Sequence, residues 1–143
     1  MIEKAKQLIS DGECSVAAVT KSGETFTSSG SSVRPLYGIY LDHKSELSGA
    51  VVADRVIGRA AACILADMGV SEAYGFLMSE AGLKLLQDNG IKTGYAKLVP
   101  FIENMRGDDL CPMEKTVDGI ADIAECVRLI GKFIADTPYS DRA

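Results

Sequence analysis

What this chain has little of narrows its function before any motif is read. It holds one histidine, His43, and four cysteines, Cys14, Cys63, Cys111 and Cys126, with no C-x-x-C pair among them. A zinc site would have to gather its ligands from scattered positions, so neither a metal nor a cofactor is expected. Thiols spread in this way suit a reducing compartment, and Cys14, Cys63 and Cys126 read as buried or half-buried free thiols. No apolar run approaches the roughly 18 residues that span a bilayer, and residues 1–10 are charged without a signal-peptide core. The expected address is the cytoplasm, with no membrane partner. Basic charge is short as well: 15 Lys and Arg against 20 Asp and Glu leave a net charge of −5. A nucleic-acid binder needs a cationic face to displace counterions, so no nucleic acid is expected as a partner. The glycines match no phosphate loop, and the chain has no internal repeat or low-complexity segment.

What remains is an ordinary soluble composition, 47% hydrophobic over 143 residues. That length suits one domain, expected over residues 1–136, with a flexible tail at 137–143. Apolar spacing predicts a short helix over residues 3–10, stopped by Asp11-Gly12. Residues 15–20 and 24–28 read as a hairpin turned at Ser22-Gly23, followed by a polar serine loop at 28–32. Pro35 fits the first turn of a helix running to about residue 44, with Ser32 as a candidate cap. Residues 49–53 read as a short strand or an extended lead-in to a helix over 55–68, closed by Gly69. Strand 72–78, helix 80–88, strand 93–99 and a final amphipathic helix over 118–135 complete the pattern, with a short helical start near Pro112. Alternation of this kind gives an α/β fold, a three-layer α/β/α sandwich around a mixed sheet.

The order of these elements resembles the cytidine deaminase superfamily over most of residues 1–115. Four strings carry the likeness: Ser15-Val16-Ala17-Ala18-Val19 with Ser22-Gly23, Val52-Ala53-Asp54-Arg55, Ser79-Glu80-Ala81-Gly82, and Leu98-Val99-Pro100-Phe101. They stand where the deaminases carry their opening strand pair, the C-A-E-R zinc helix, the P-C-x-x-C helix and L-L-P-x-x-F. The chain is also similar to a small prokaryotic family of uncharacterised proteins assigned that fold. This second likeness lies in Val33-Arg34-Pro35-Leu36, residues 54–62 and Leu110-Cys111-Pro112-Met113-Glu114-Lys115. Val52 cannot bind a metal and residues 79–82 hold no cysteine, so the resemblance implies a deaminase-like pocket without zinc.

The candidate residues each carry a structural alternative. Asp54 reads either as the cap of the following helix or as a proton carrier in the pocket. Arg55 and Arg59 lie one helical turn apart on the predicted helix and read as solvated surface or as an anion site. Cys111, with Pro112 next and Glu114 third, has the form of a capping arrangement; a thiolate nucleophile is the alternative. Arg34 and Lys115 join Arg55 and Arg59 as ligand-binding candidates, while His43, among Asp42, Lys44 and Glu46, reads as solvated. The expected function is binding of a small polar ligand, nucleoside- or nucleotide-like only through the resemblance. A metal-independent enzyme using Cys111 with Asp54 or Glu114 is one alternative. A structural, oligomerising subunit built on the C-terminal helix is another, and a homo-oligomer is expected.

Overall fold

A strand buried on both faces needs apolar residues at every position, and residues 16–19 supply them. In the computed structural model, which describes residues 1–104 and 106–137, β1 (Val16–Val19) is buried throughout and lies second in a five-stranded sheet. Gly23, at φ 92°, turns it into β2 (Thr25–Ser28), with Val19 opposite Thr25 and Val16 opposite Ser28. On its other side β1 pairs antiparallel with β3 (Val51–Ile57). Parallel pairs then join β3 to β4 (Glu72–Ser79) and β4 to β5 (Lys92–Val99), giving the order β2-β1-β3-β4-β5. The sheet is mixed, as the sequence predicts.

Alternation along β1 and β3 divides the core in two. Ala17, Val19, Val51 and Ala53 meet Ala5 and Ile9 of α1 (Ile2–Ser10) on one face. Val16, Ala18 and Val52 point the other way, into the larger cluster shared by α2 (Arg34–His43), α3 (Arg59–Met68), α4 (Glu80–Asp88), α5 (Pro112–Val117) and α6 (Ile123–Asp136). Helices therefore cover both faces, in three layers. The small side chains of Ala60, Ala61 and Ala62 are all buried in α3, which closes at Gly69 in the left-handed conformation at φ 73°. No helix among the described residues is long and apolar enough to cross a membrane.

Three local expectations need correction. The helix predicted from residue 55 begins only at Arg59, and Asp54 to Ile57 continue β3, paired to Gly75, Leu77 and Met78 of β4. Two β-branched residues, Val56 and Ile57, favour strand there, and Gly58 makes the break in an extended conformation. Ser32 does not cap α2; it lies at φ 63°, and Val33 precedes the helix without a side-chain cap. The final helix starts at Ile123, because Asp122 caps it through the amides of Ala124 and Glu125, while Gly119 at φ 76° turns the preceding segment. Most of the expected flexible tail, residues 138–143, lies outside the described residues.

Two glycines test the packing in opposite directions. A methyl at Gly82 would lie 2.9 Å from the Gly58 carbonyl oxygen and 3.0 Å from that of Ile57, both backbone atoms unable to yield cheaply. Gly82→Ala is expected to destabilise the fold by about 1–3 kcal/mol. Gly38, inside α2 with open space around it, should behave oppositely: Gly38→Ala is expected to stabilise by about 0.5–1 kcal/mol. Urea unfolding midpoints of the two variants check both signs.

Candidate functional site

The end of β3 opens onto a cavity of about 280 Å³, closed by the serine loop before α2, the start of α3 and the start of α5. Asp54, Arg55, Cys111 and Glu114 all line it, so the structure brings together four of the seven candidates. Ser15, Ser31, Ser32 and Glu103 also contribute. The geometry of the whole wall follows from one carboxylate.

Glu114 was expected to reach back within its own helix start. Instead it crosses to α3 and accepts from the amides of Arg59 at 2.7 Å and Ala60 at 2.9 Å. The first amides of a helix have no partner within it and carry the positive end of its dipole, so a carboxylate satisfies them well. Gly58 is what admits it: a methyl there would lie 2.6 Å from the carboxyl carbon. Arg59 returns the tie in the opposite direction. Its guanidinium donates to the carbonyls of Val117 and Ile120, both at 2.5 Å, at the end of α5 and the turn beyond it. Burial raises the Glu114 carboxyl above its ordinary range, and the Ala60 and Arg59 amides offset part of that rise.

Asp54 is left without such help. It is 7% exposed, its Oδ1 accepts from the Val56 amide at 3.5 Å, the Arg55 amide also reaches the carboxyl, and no side chain hydrogen-bonds it among the described residues. It sits on a strand, four residues before Gly58, and so caps nothing; the capping role it was expected to fill belongs to Glu114. Burial pushes its carboxyl up to about 8, against weaker opposing contributions from the Val56 and Arg55 amides and the Arg55 charge. At neutral pH Asp54 is mostly protonated. It can donate as well as accept a hydrogen bond in the cavity.

Cys111 is held at the wall by its amide, which donates to the Ile102 carbonyl at 2.9 Å, and it precedes α5 without a side-chain cap bond. Burial raises its thiol above the ordinary value, while the Met113 and Glu114 amides oppose this only in part. The direction is away from a thiolate nucleophile.

Three candidates stand elsewhere. Arg34 is the first residue of α2 and donates to the Thr137 carbonyl at 2.6 Å. Arg59 spends its guanidinium on the carbonyls described above and does not share a helical face with Arg55, which is exposed on β3. Lys115 is exposed and paired with Asp109 at 2.5 Å. His43 stacks on Phe26 with centroids 3.9 Å apart and meets Glu46 at 3.3 Å. Ser15, Ser31 and Ser32 were missed by sequence reasoning; the run of serines at 28–32 was visible only as a polar loop. Cys14, Cys63 and Cys126 are buried free thiols, as expected. Among the described residues no three His, Cys, Asp or Glu side chains gather to hold a metal ion.

A family model described as "TM1506: Domain of unknown function (DUF1893)" matches residues 4–134. No curated protein matches the chain. Among solved structures, the crystal structure of a DUF1893 family protein (TM1506) from Thermotoga maritima is similar, with a TM-score of 0.85 at 26% sequence identity. The likeness covers 93% of this chain and 89% of that one.

The state of Asp54 sets a pH dependence. Its carboxyl rises from 3.8 to about 8 on folding, so between those values the unfolded chain gives up a proton that the native one keeps. Its contribution to stability is complete below about pH 4 and is lost as the pH rises toward about 8. Asp54→Asn removes this slope. At pH 8.5 the variant is expected to exceed wild type by more than about 1 kcal/mol, the difference shrinking toward pH 4.5, as read by urea unfolding across pH.

Proposed function

The chain belongs to the DUF1893 family, and we propose that it binds a small polar ligand, of nucleoside or nucleotide kind, in the cavity around Asp54. One observation carries this reading: a carboxyl 7% exposed lines the cavity with no side-chain partner. Buried carboxyls are ordinarily paired by side chains as well, and one that lines a cavity with only the amides of its own strand for partners suits a ligand that completes it. A volume of about 280 Å³ holds one small ring system. Arg55, exposed where the cavity lining meets solvent, and the hydroxyls of Ser31 and Ser32 suit a phosphate or ribose reaching outward.

Deaminase likeness enters here as part of the proposal and takes a changed form. Val52-Ala53-Asp54-Arg55 lies in β3, so it is not the counterpart of a zinc-helix start. The helix start that follows β3 is Gly58-Arg59, and it offers no metal ligand either. We therefore read a pocket that recognises its ligand through Asp54 and works without zinc. The enzyme alternative based on Cys111 loses support, because its thiol is raised and Glu114 is committed to α3.

Titration of isotope-labelled protein with AMP, CMP and UMP, and with the matching nucleosides, tests the proposal. At least one pair is expected to shift the Asp54, Val56 and Ser31 amides saturably, with Kd below about 1 mM. Arg55→Ala should weaken the nucleotide and spare its nucleoside. Absence of any saturable shift at these amides across the panel overturns the reading.

A further inference from the structure

We infer that Cys63 and Cys126 form a thiol–disulfide switch, in which a hydroperoxide joins the two sulfurs and fastens helix α6 to α3. No ligand in the cavity is needed for this, because the contacts that carry it lie in the core. Cys63 stands one helical turn after Arg59 on α3, and Cys126 lies in the first turn of α6. Both are free thiols, and they are hydrogen-bonded to each other across the two helices. Cys126 is more than a packed thiol. Its Sγ accepts from the Arg59 guanidinium at 3.6 Å and donates to the Ile120 carbonyl at 3.2 Å. Among the described residues no third metal-ligating side chain joins them, so the pair is a dithiol and not part of a metal site.

The surroundings give the two sulfurs different roles. Burial, with the hydrogen bond to Cys126, pushes the Cys63 thiol up to about 12, and the Arg59 charge offsets this only in part. Cys63 therefore holds its proton, and Cys126, with the guanidinium against its sulfur, attacks first. Cys126 sulfur forms a bond to one peroxide oxygen as the O–O bond breaks. The thiol proton leaves with the departing oxygen, as water or an alcohol, and Cys126 becomes a sulfenic acid. Cys63 sulfur then attacks Cys126 sulfur, forming the S–S bond, and the displaced hydroxide takes the Cys63 proton and leaves as water. The two thiols lose two electrons and two protons, and the peroxide gains both. Each side chain is 0% exposed, so the peroxide reaches them only while α6 lifts locally from α3. Once formed, the bond opposes that lifting. The helix it ties is the one whose first residues, Ala60 and Ala61, wall the cavity.

Hydrogen peroxide on the native protein tests this, with alkylation of the remaining thiols in denaturant and non-reducing peptide mass spectrometry. The Cys63–Cys126 linkage is expected as the main product, formed without urea and reversed by dithiothreitol. The oxidised form should melt at least about 4 °C above the reduced form. In Cys63→Ala the reaction should stop at the Cys126 sulfenic acid, trapped by dimedone, whereas Cys126→Ala should leave Cys63 unlabelled. Both thiols surviving in peroxide that fully oxidises free cysteine overturns the switch. A main linkage through Cys14 or Cys111, or a Cys63–Cys126 bond formed only in unfolded protein, overturns it as well. An unchanged or lower melting temperature contradicts the fastening, and dimedone on Cys63 in Cys126→Ala reverses the assigned roles.

Discussion

The contact on which the rest depends is the Glu114 carboxylate seated on the first amides of α3. It joins α5 to the helix that runs through the main core, and Arg59 completes the join by holding the carbonyls of Val117 and Ile120. Both ends of the tie sit on one residue, since Arg59 gives its amide to Glu114 and its guanidinium to the far end of α5. Gly58 is required because any side chain there would occupy the carboxylate's place. Gly82 is required behind it, because α4 packs directly on the Gly58 backbone. Charge-assisted bonds of this type are stronger than neutral ones and are worth most where water is kept out.

The same contact explains the isolation of Asp54. A helix start beside a buried carboxylate would normally relieve it, and α3 begins only a few residues further on. Those amides already belong to Glu114. Asp54 therefore stays on β3 with only the amides of its own strand for partners, and its burial raises its carboxyl. An uncompensated acid of this kind lowers stability at neutral and higher pH. Its place in the lining of a cavity gives a reason to tolerate that cost, since groups poised near neutrality concentrate at sites that bind or transfer protons.

Much of the fold was legible in residue pattern alone. Helix α4 and the strands β4 and β5 followed from apolar spacing, and Gly69 marked the end of α3 because only glycine takes that conformation freely. The stretch from Asp54 to Gly58 was misread because an acid before a run of alanines has the local form of a helix cap. Tertiary pairing decided otherwise: β1 pairs β3 as far as Asp54, and β4 pairs it on to Ile57. Glu114 was misplaced for a similar reason, since Cys111-Pro112-Met113-Glu114 has the form of a self-contained cap while its true partner lies 55 residues earlier at Arg59. Asp54, Cys111 and Glu114 stood out through the strings that carry the resemblance together with their residue types, but their division of labour needed three-dimensional contacts. The serine lining had no signal of its own beyond polarity.

The central claim is that a buried carboxyl in the cavity, with no side-chain partner, keeps its proton at neutral pH. Carbon-13 NMR titration of the Asp54 side-chain carboxyl in the folded protein tests this most directly. A midpoint near 8, as burial outweighing the Val56 and Arg55 amides and the Arg55 charge requires, is the predicted result. A midpoint near the ordinary carboxylate value of about 4 would contradict it and show that Asp54 is solvated or paired.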